Sequence, residues 1–315
     1  MLEPLVSIII PVYNGGNFIK EAIDSALAQI YPSIEIIVIN DGSNDNGITA
    51  EICHGYGDKI RYFEKENGGV SSALNLGIKE MKGEWFSWLS HDDLYSPDKI
   101  QKQIDLLNEY GFTSCDQVLV YGNADQINTK GKRIFGKDYG LKGLFSSEQI
   151  FYQVFTKSLP LNGLAFLIPK KAFSLCGVFN TEYRFIQDAD MWYRLMLAGY
   201  SFLCHRDVIA SVRVHAGRVS PQAEKDWMRE QMALVNSVAE NSIENDDTRK
   251  MIAVWRWALA NNNILLEKII RSKLKQQGDY SFDLSLKRMF YLLHGRFISF
   301  LKFIYHSFYK NKIGK

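Results

Sequence analysis

The stretch Trp88-Leu89-Ser90-His91-Asp92-Asp93-Leu94-Tyr95-Ser96-Pro97 sets two adjacent carboxylates directly after an apolar run. Trp85, Phe86, Trp88 and Leu89 read as a buried strand, so Asp92 and Asp93 arrive at the rim of a sheet. Carboxylates there cannot stand bare, because an isolated buried charge costs several kcal/mol or shifts its pKa. Mg²⁺ and Mn²⁺ favour carboxylate oxygens and substrate phosphates. The pattern points to a divalent ion held on Asp92 and shared with a phosphate-bearing ligand.

A second candidate lies at Asp188. Residues 188–198 have helical spacing, and Asp188 shares a face with Met191, Trp192 and Leu195. A carboxylate at the half-buried first turn of an apolar stripe has its pKa raised, which suits a general base. A helix cap is the plainer alternative. Asp190 and Arg194 form an i,i+4 pair whose bland reading is a surface salt bridge.

The first half of the chain must position these groups. Leu5–Val12 and Ile34–Ile39 are continuous apolar runs, the mark of strands buried on both faces. Ile60–Phe63 and Phe86–Leu89 read as two further strands. Between them, Phe18–Gln29 carries apolar residues at helical spacing, and a second helix runs from the Asn67-Gly68-Gly69 turn through Ile78. Strands separated by single helices imply a mostly parallel sheet, on which ligands bind past the carboxyl ends of the strands. The polar clusters Tyr13-Asn14, Asn40-Asp41 and His91-Asp92-Asp93 should therefore meet in one crevice. Neither a G-x-x-x-x-G-K-[ST] loop nor a G-x-G-x-x-G turn follows the first strand.

Composition narrows the class. The 315 residues allow one large α/β core plus an appendage. A net charge of +2 predicts no nucleic-acid partner. Cys53, Cys115, Cys176 and Cys204 are scattered, as buried thiols of a reducing compartment would be. The start lacks the basic and apolar regions of a signal peptide, and no uncharged run reaches the length of a membrane span. A cytoplasmic protein is expected.

Pro11-Val12-Tyr13-Asn14, Asn40-Asp41-Gly42-Ser43, Ala73-Leu74-Asn75-Leu76-Gly77 and Ser90-His91-Asp92-Asp93 with Pro97 occur in an order that resembles family 2 glycosyltransferases. The resemblance covers about the first two-thirds of the chain. It implies a GT-A fold, a Rossmann-like α/β sheet, and inverting transfer from a nucleoside-diphosphate sugar. It assigns Asp41 to the uracil or thymine base, and Pro11, Tyr13 and Asn14 to base and ribose, with Asn67 and Gly68 close to the donor. Asp92 takes the metal-ligand position of the D-x-D element, for Mn²⁺ or Mg²⁺. Ser90 stands where many members carry the first Asp, so the diphosphate would supply more of the coordination. His91 and Asp93 become ribose or outer-sphere partners. Asp188 matches the family's catalytic base, with Gln187 where many members have Glu. The segment Val212–Ser220 resembles an R-x-H element, making His215 a metal or diphosphate contact and Arg213 or Arg218 a charge partner for the leaving group.

From Gln222 onward the chain reads as helices. One stripe runs through Trp227, Gln231, Leu234, Val235 and Val238. Another joins Met251, Val254, Trp255, Ala258 and Leu259, with a polar linker at Glu240–Asp247 between them. In the tail, Phe290, Leu293, Phe297, Leu301, Ile304 and Phe308 share a helical face flanked by Lys and Arg. Such a face suits a membrane surface, while packing on the catalytic domain or on a second copy fits equally. The expected organisation is a GT-A domain over 1–220, with a donor half to about 97 and an acceptor half to 220, then a helical region over 221–315. The expected activity is metal-dependent transfer from UDP- or dTDP-sugar to a glycan or lipid-linked glycan, in surface polysaccharide synthesis, on the inner face of the plasma membrane. A sugar-nucleotide nucleotidyltransferase and a non-catalytic nucleotide-sugar scaffold stay open as alternatives.

Overall fold

The computed structural model describes residues 3–136, 138–157, 159–215, 221–261 and 263–279. The first strands follow the apolar runs closely: β1 (Val6–Val12), β2 (Ile34–Asp41), β3 (Arg61–Lys65) and β4 (Trp85–Trp88). Every residue of β1 and β4 is buried, as strands covered on both faces require. The four strands pair in parallel, in the order β3-β2-β1-β4. Their register decides the rim of the sheet. Val12 pairs with Asn40, and Asp41 pairs with Lys65, so polar groups end adjacent strands at the same level.

Helices α1 (Ile19–Leu27), α2 (Ile48–His54) and α3 (Gly69–Glu80) connect these strands. Helix α1 buries Ile19, Ala22, Ile23 and Ala26, the stripe that its spacing demands. Tight packing admits no larger side chain at Gly77 of α3, where a Cβ would lie 2.4 Å from Ile9.

The sheet then continues with mixed polarity. After the two-residue strand β5 (Leu94–Tyr95) come helix α4 (Lys99–Tyr110), β6 (Val118–Ile127), β7 (Arg133–Gly136), β8 (Gly143–Phe145) and helix α5 (Ser147–Lys157). Next follow β9 (Phe166–Pro169), α6 (Lys171–Cys176), α7 (Gln187–Leu197) and β10 (Ser201–Arg213). Strand β9 is antiparallel to both β4 and β6 and welds the two halves into one sheet. Strand β10 pairs in parallel with β6 and breaks register near Val208, so its end reaches the rim beside the turn after β4. Lys99 is fully buried beneath this junction. Its ammonium donates to Ser87 Oγ, Gln103 Oε1 and the Phe166 carbonyl, and burial holds its pKa well below the usual lysine value.

The chain divides into two compact units, one of 1–150 with 160–230, the other of 151–159 with 231–315. The second contains the end of α8 (Pro221–Glu244), then α9 (Thr248–Ala260) and α10 (Ile264–Gln276). Leu234, Val235 and Val238 are buried, and so are Met251, Val254, Trp255, Ala258 and Leu259, whereas Trp227 is 39% exposed. The linker expected over 240–247 is shorter: α8 continues to Glu244, and Asp247 caps α9 by accepting the Lys250 amide. The tail with the basic aromatic stripe lies outside the described residues. Among those residues, no helix is long and apolar enough to cross a membrane.

Candidate functional site

Asp41 ends β2 in a nest of donors. Its Oδ1 accepts Lys65 Nζ at 2.7 Å and the Gly68 amide at 3.0 Å, and its Oδ2 accepts the Gly69 amide at 2.7 Å. The two amides lie at the start of α3, where helix N–H groups lack internal partners. Asn67 Nδ2 ties the loop down by donating to the Asp41 carbonyl. Gly42 makes this possible: φ is +70°, and a Cβ there would lie 2.6 Å from the Asn67 nitrogen. An ionised carboxylate offers about four acceptor positions, so Asp41 retains capacity for one further N–H.

A cleft of about 230 Å³ opens over this point. It is lined by Pro11, Val12 and Tyr13 after β1, by Asp41, by Val70 and Ala73 of α3, and by Ser90, His91 and Asp92 after β4. Three strand ends thus meet in one crevice, as parallel topology requires. Asn14 stands outside the lining with a left-handed φ of 51°. Its side chain exchanges hydrogen bonds with Asn44 and its amide donates to Ser43 Oγ, so it clasps the loops after β1 and β2. Gly15 admits the close approach beside it, since a Cβ would meet Val12 at 2.3 Å and His91 at 3.1 Å.

The Asp92-Asp93 turn is held from β10. Asp93 Oδ1 accepts the Arg213 amide at 2.8 Å, and Asp92 Oδ2 lies 3.1 Å from His215 Nε2. Arg213 was expected at the leaving group, but the structure gives it another position. It is fully buried, absent from the cleft lining, and donates to the carbonyls of Asp92, Asn128 and Thr129 and to Glu21. Its guanidinium also lies over the Phe18 ring, whose other neighbour is His215. Its rigid fork of donors is directed at main-chain carbonyls and Glu21 and so braces the turn. Arg218 falls outside the described residues.

Asp188 occupies the first turn of α7, away from the lining of the cleft. Part of it reaches solvent, yet the surrounding protein desolvates the carboxyl and pushes its pKa up to about 6. The Ala189 amide, donating at 2.7 Å, opposes that rise. Asn75 of α3 exchanges hydrogen bonds with the backbone of Phe179, which ties the segment before α7 to the donor half, and Trp192 of α7 stacks on Phe166 of β9 at 4.2 Å. Asp190 is buried rather than superficial. It pairs with Arg194 at 2.7 Å, and that arginine also donates to the carbonyls of Cys176 and Val178.

Lys65 and Glu230 are the supports that sequence reading missed. Lys65 opposes Asp41 only through the β2–β3 register, and Glu230 accepts the amides of Arg184, Phe185 and Ile186 from far along the chain.

Residues 7–181 match the model of Glycosyl transferase family 2. The chain belongs to that family. An uncharacterized glycosyltransferase of Rickettsia felis is 50% identical over 195 residues, which cover 61% of this chain and 31% of the relative. One of Rickettsia typhi is 46% identical over 222 residues, covering 70% and 67%. This family 2 chain thus spans about a third of the first of those relatives. Among solved structures, S. aureus TarS 1–349 in complex with UDP-GlcNAc aligns with a TM-score of 0.59 at 15% identity, over 88% of this chain and 93% of that one. The likeness shows the GT-A fold expected from the resemblance.

Proposed function

We propose that this chain transfers a sugar from a nucleoside-diphosphate donor, UDP- or dTDP-linked, to a hydroxyl of a glycan or lipid-linked glycan, inverting the anomeric carbon. The observation that carries the reading is the meeting of Asp41 and Asp92 in one cleft at the strand ends. The TarS structures, one with UDP and one with UDP-GlcNAc, support the choice of donor. The Asp41 carboxylate accepts the N3–H of uracil or thymine, while Tyr13 and Pro11 cover the base and ribose.

Asp92 and His215, whose Oδ2 and Nε2 lie 3.1 Å apart, would hold Mn²⁺ through oxygen and nitrogen, or Mg²⁺ through the Asp92 oxygen, together with the donor diphosphate. Among the described residues, no third His, Cys, Asp or Glu joins them. Such an ion supplies Lewis-acid stabilisation of charge on the departing diphosphate. Arg213 keeps the Asp92 turn in place. Asp188, ionised above pH 6, takes the proton of the acceptor hydroxyl as that oxygen attacks the anomeric carbon and the bond to the diphosphate breaks.

The basic aromatic tail would bring such an enzyme to a lipid-linked acceptor, and surface polysaccharide is the product class this serves. The test is product stereochemistry by NMR after incubation with UDP-sugars and candidate acceptors, on wild type and Asp188→Asn. An inverted product absent from the variant supports the reading. A retained configuration excludes it.

A further inference from the structure

Glu230 lies beyond residue 181, where the family match ends, and does not line the donor cleft. It stands on α8, only 9% exposed. Its Oε1 accepts the Arg184 amide at 3.1 Å, and its Oε2 accepts those of Phe185 at 2.8 Å and Ile186 at 3.3 Å. Three successive N–H groups converge on one carboxylate, the geometry of a backbone anion nest. The nest leads directly into α7: Ile186 is its N-cap, and Asp188 is its second residue. A buried carboxylate is tolerated only when donors satisfy it, so the pairing binds both partners tightly.

We propose that Glu230 is a positioning residue for Asp188. By gripping the 184–186 turn it fixes the first turn of α7, and with it the direction of the Asp188 carboxylate. This rests on the reading of Asp188 as the base. Glu182 and Arg184 on the turn, Asp190 paired with Arg194 on α7, and Glu230 itself are the charged groups of this stretch. Glutamine at 230 keeps the shape but turns an –NH₂ toward N–H donors, so the nest cannot be satisfied as before.

The test compares full-length wild type, Glu230→Gln and Asp188→Asn. UDP-GlcNAc is the probe for turnover, UDP the probe for binding, and ¹³C NMR follows the titration of the Asp188 carboxyl. In Glu230→Gln, kcat should fall about tenfold to a hundredfold, since small misplacements of a reacting group cost that much. KM and the Kd for UDP should stay within about twofold, the signature of an effect confined to the chemical step. The Asp188 midpoint should move down toward the ordinary carboxylate range as water enters the loosened turn.

An unchanged kcat in Glu230→Gln, beside an inactive Asp188→Asn, overturns the positioning role and leaves the base assignment standing. Wild-type turnover by Asp188→Asn removes the base reading instead, and no turnover of UDP-GlcNAc by any form removes that sugar nucleotide as the donor. The NMR midpoint then decides Glu230 alone: a downward move supports it and a fixed midpoint overturns it. If Glu230→Gln does not fold, Glu230→Asp keeps the charge on a shorter stem and is read the same way.

Discussion

Replacing Arg213 by Met separates a bracing residue from one that acts on the donor. The guanidinium is 0% exposed and bonds to Asp92 O at 2.8 Å, Thr129 O at 3.0 Å and Asn128 O at 3.3 Å. Methionine fills much of the volume but takes a donor from the buried Asp92 carbonyl, whereas Asn128 O keeps the Gly131 amide at 3.0 Å and Thr129 is exposed to water. Taking the donor from the buried Asp92 carbonyl costs about 2 kcal/mol, and the lost bonds to the Asn128 and Thr129 carbonyls cost about 1 kcal/mol each. The fourth partner, Glu21, is 51% exposed on its side chain and returns to water at little cost. The sum is about 4 kcal/mol, which in a unit of this size lowers Tm on the order of 10 °C. Arg213→Lys should lose roughly half as much, because one ammonium cannot span the fork. Differential scanning fluorimetry measures both, with UDP binding measured below the transition. A Tm within about 1 °C of wild type, together with a large loss of kcat, would refute the bracing role and return Arg213 to the leaving group.

Asp188→Asn should bind UDP normally and lose turnover, and wild-type kcat should rise with pH through about 6 as the base ionises. The same raised pKa makes the folded state bind more protons than the unfolded chain between the ordinary value and 6. Wild-type stability therefore falls as pH rises through that window, and Asp188→Asn should be the more stable protein at pH 8 by thermal melting. Lys65→Met removes the charged partner of Asp41, 21% exposed, and should cost about 1 kcal/mol while weakening UDP in calorimetry. An unchanged Kd would mean that the Gly68 and Gly69 amides orient Asp41 unaided. Gly15→Ala forces a methyl against Val12 and His91 and should destabilise by about 1–3 kcal/mol in urea unfolding.

Runs of apolar residues such as Ile8-Ile9-Ile10 and Ile36-Ile37-Val38 carry their own assignment, because a strand covered on both faces needs no partner to be recognised. Their polar ends followed, and Asp41 and Asp92 fall in one cleft for that reason. Strands β6 and β10 were hidden. Ser201–Arg213 mixes exposed and buried positions and bends near Val208, so no single period runs through it. Arg213 misled for a related cause: beside His215 it reads as an anion contact, and only the pairing of β10 with β6 and β5 turns it inward. Lys65 and Glu230 depend on strand register and on the docking of α8, neither of which is written in local spacing.

The most direct measurement is thermal stabilisation by UDP and dTDP, with and without Mn²⁺, on wild type and Asp92→Ala. A ligand that binds the folded state alone stabilises by RT ln(1 + [L]/Kd), about 2.7 kcal/mol at a hundredfold excess over Kd. Stabilisation of wild type that requires Mn²⁺, and is lost in Asp92→Ala, is the expected result. Equal stabilisation of both proteins, or none of either by any nucleotide, would contradict a metal-assisted donor site at the ends of β1, β2 and β4.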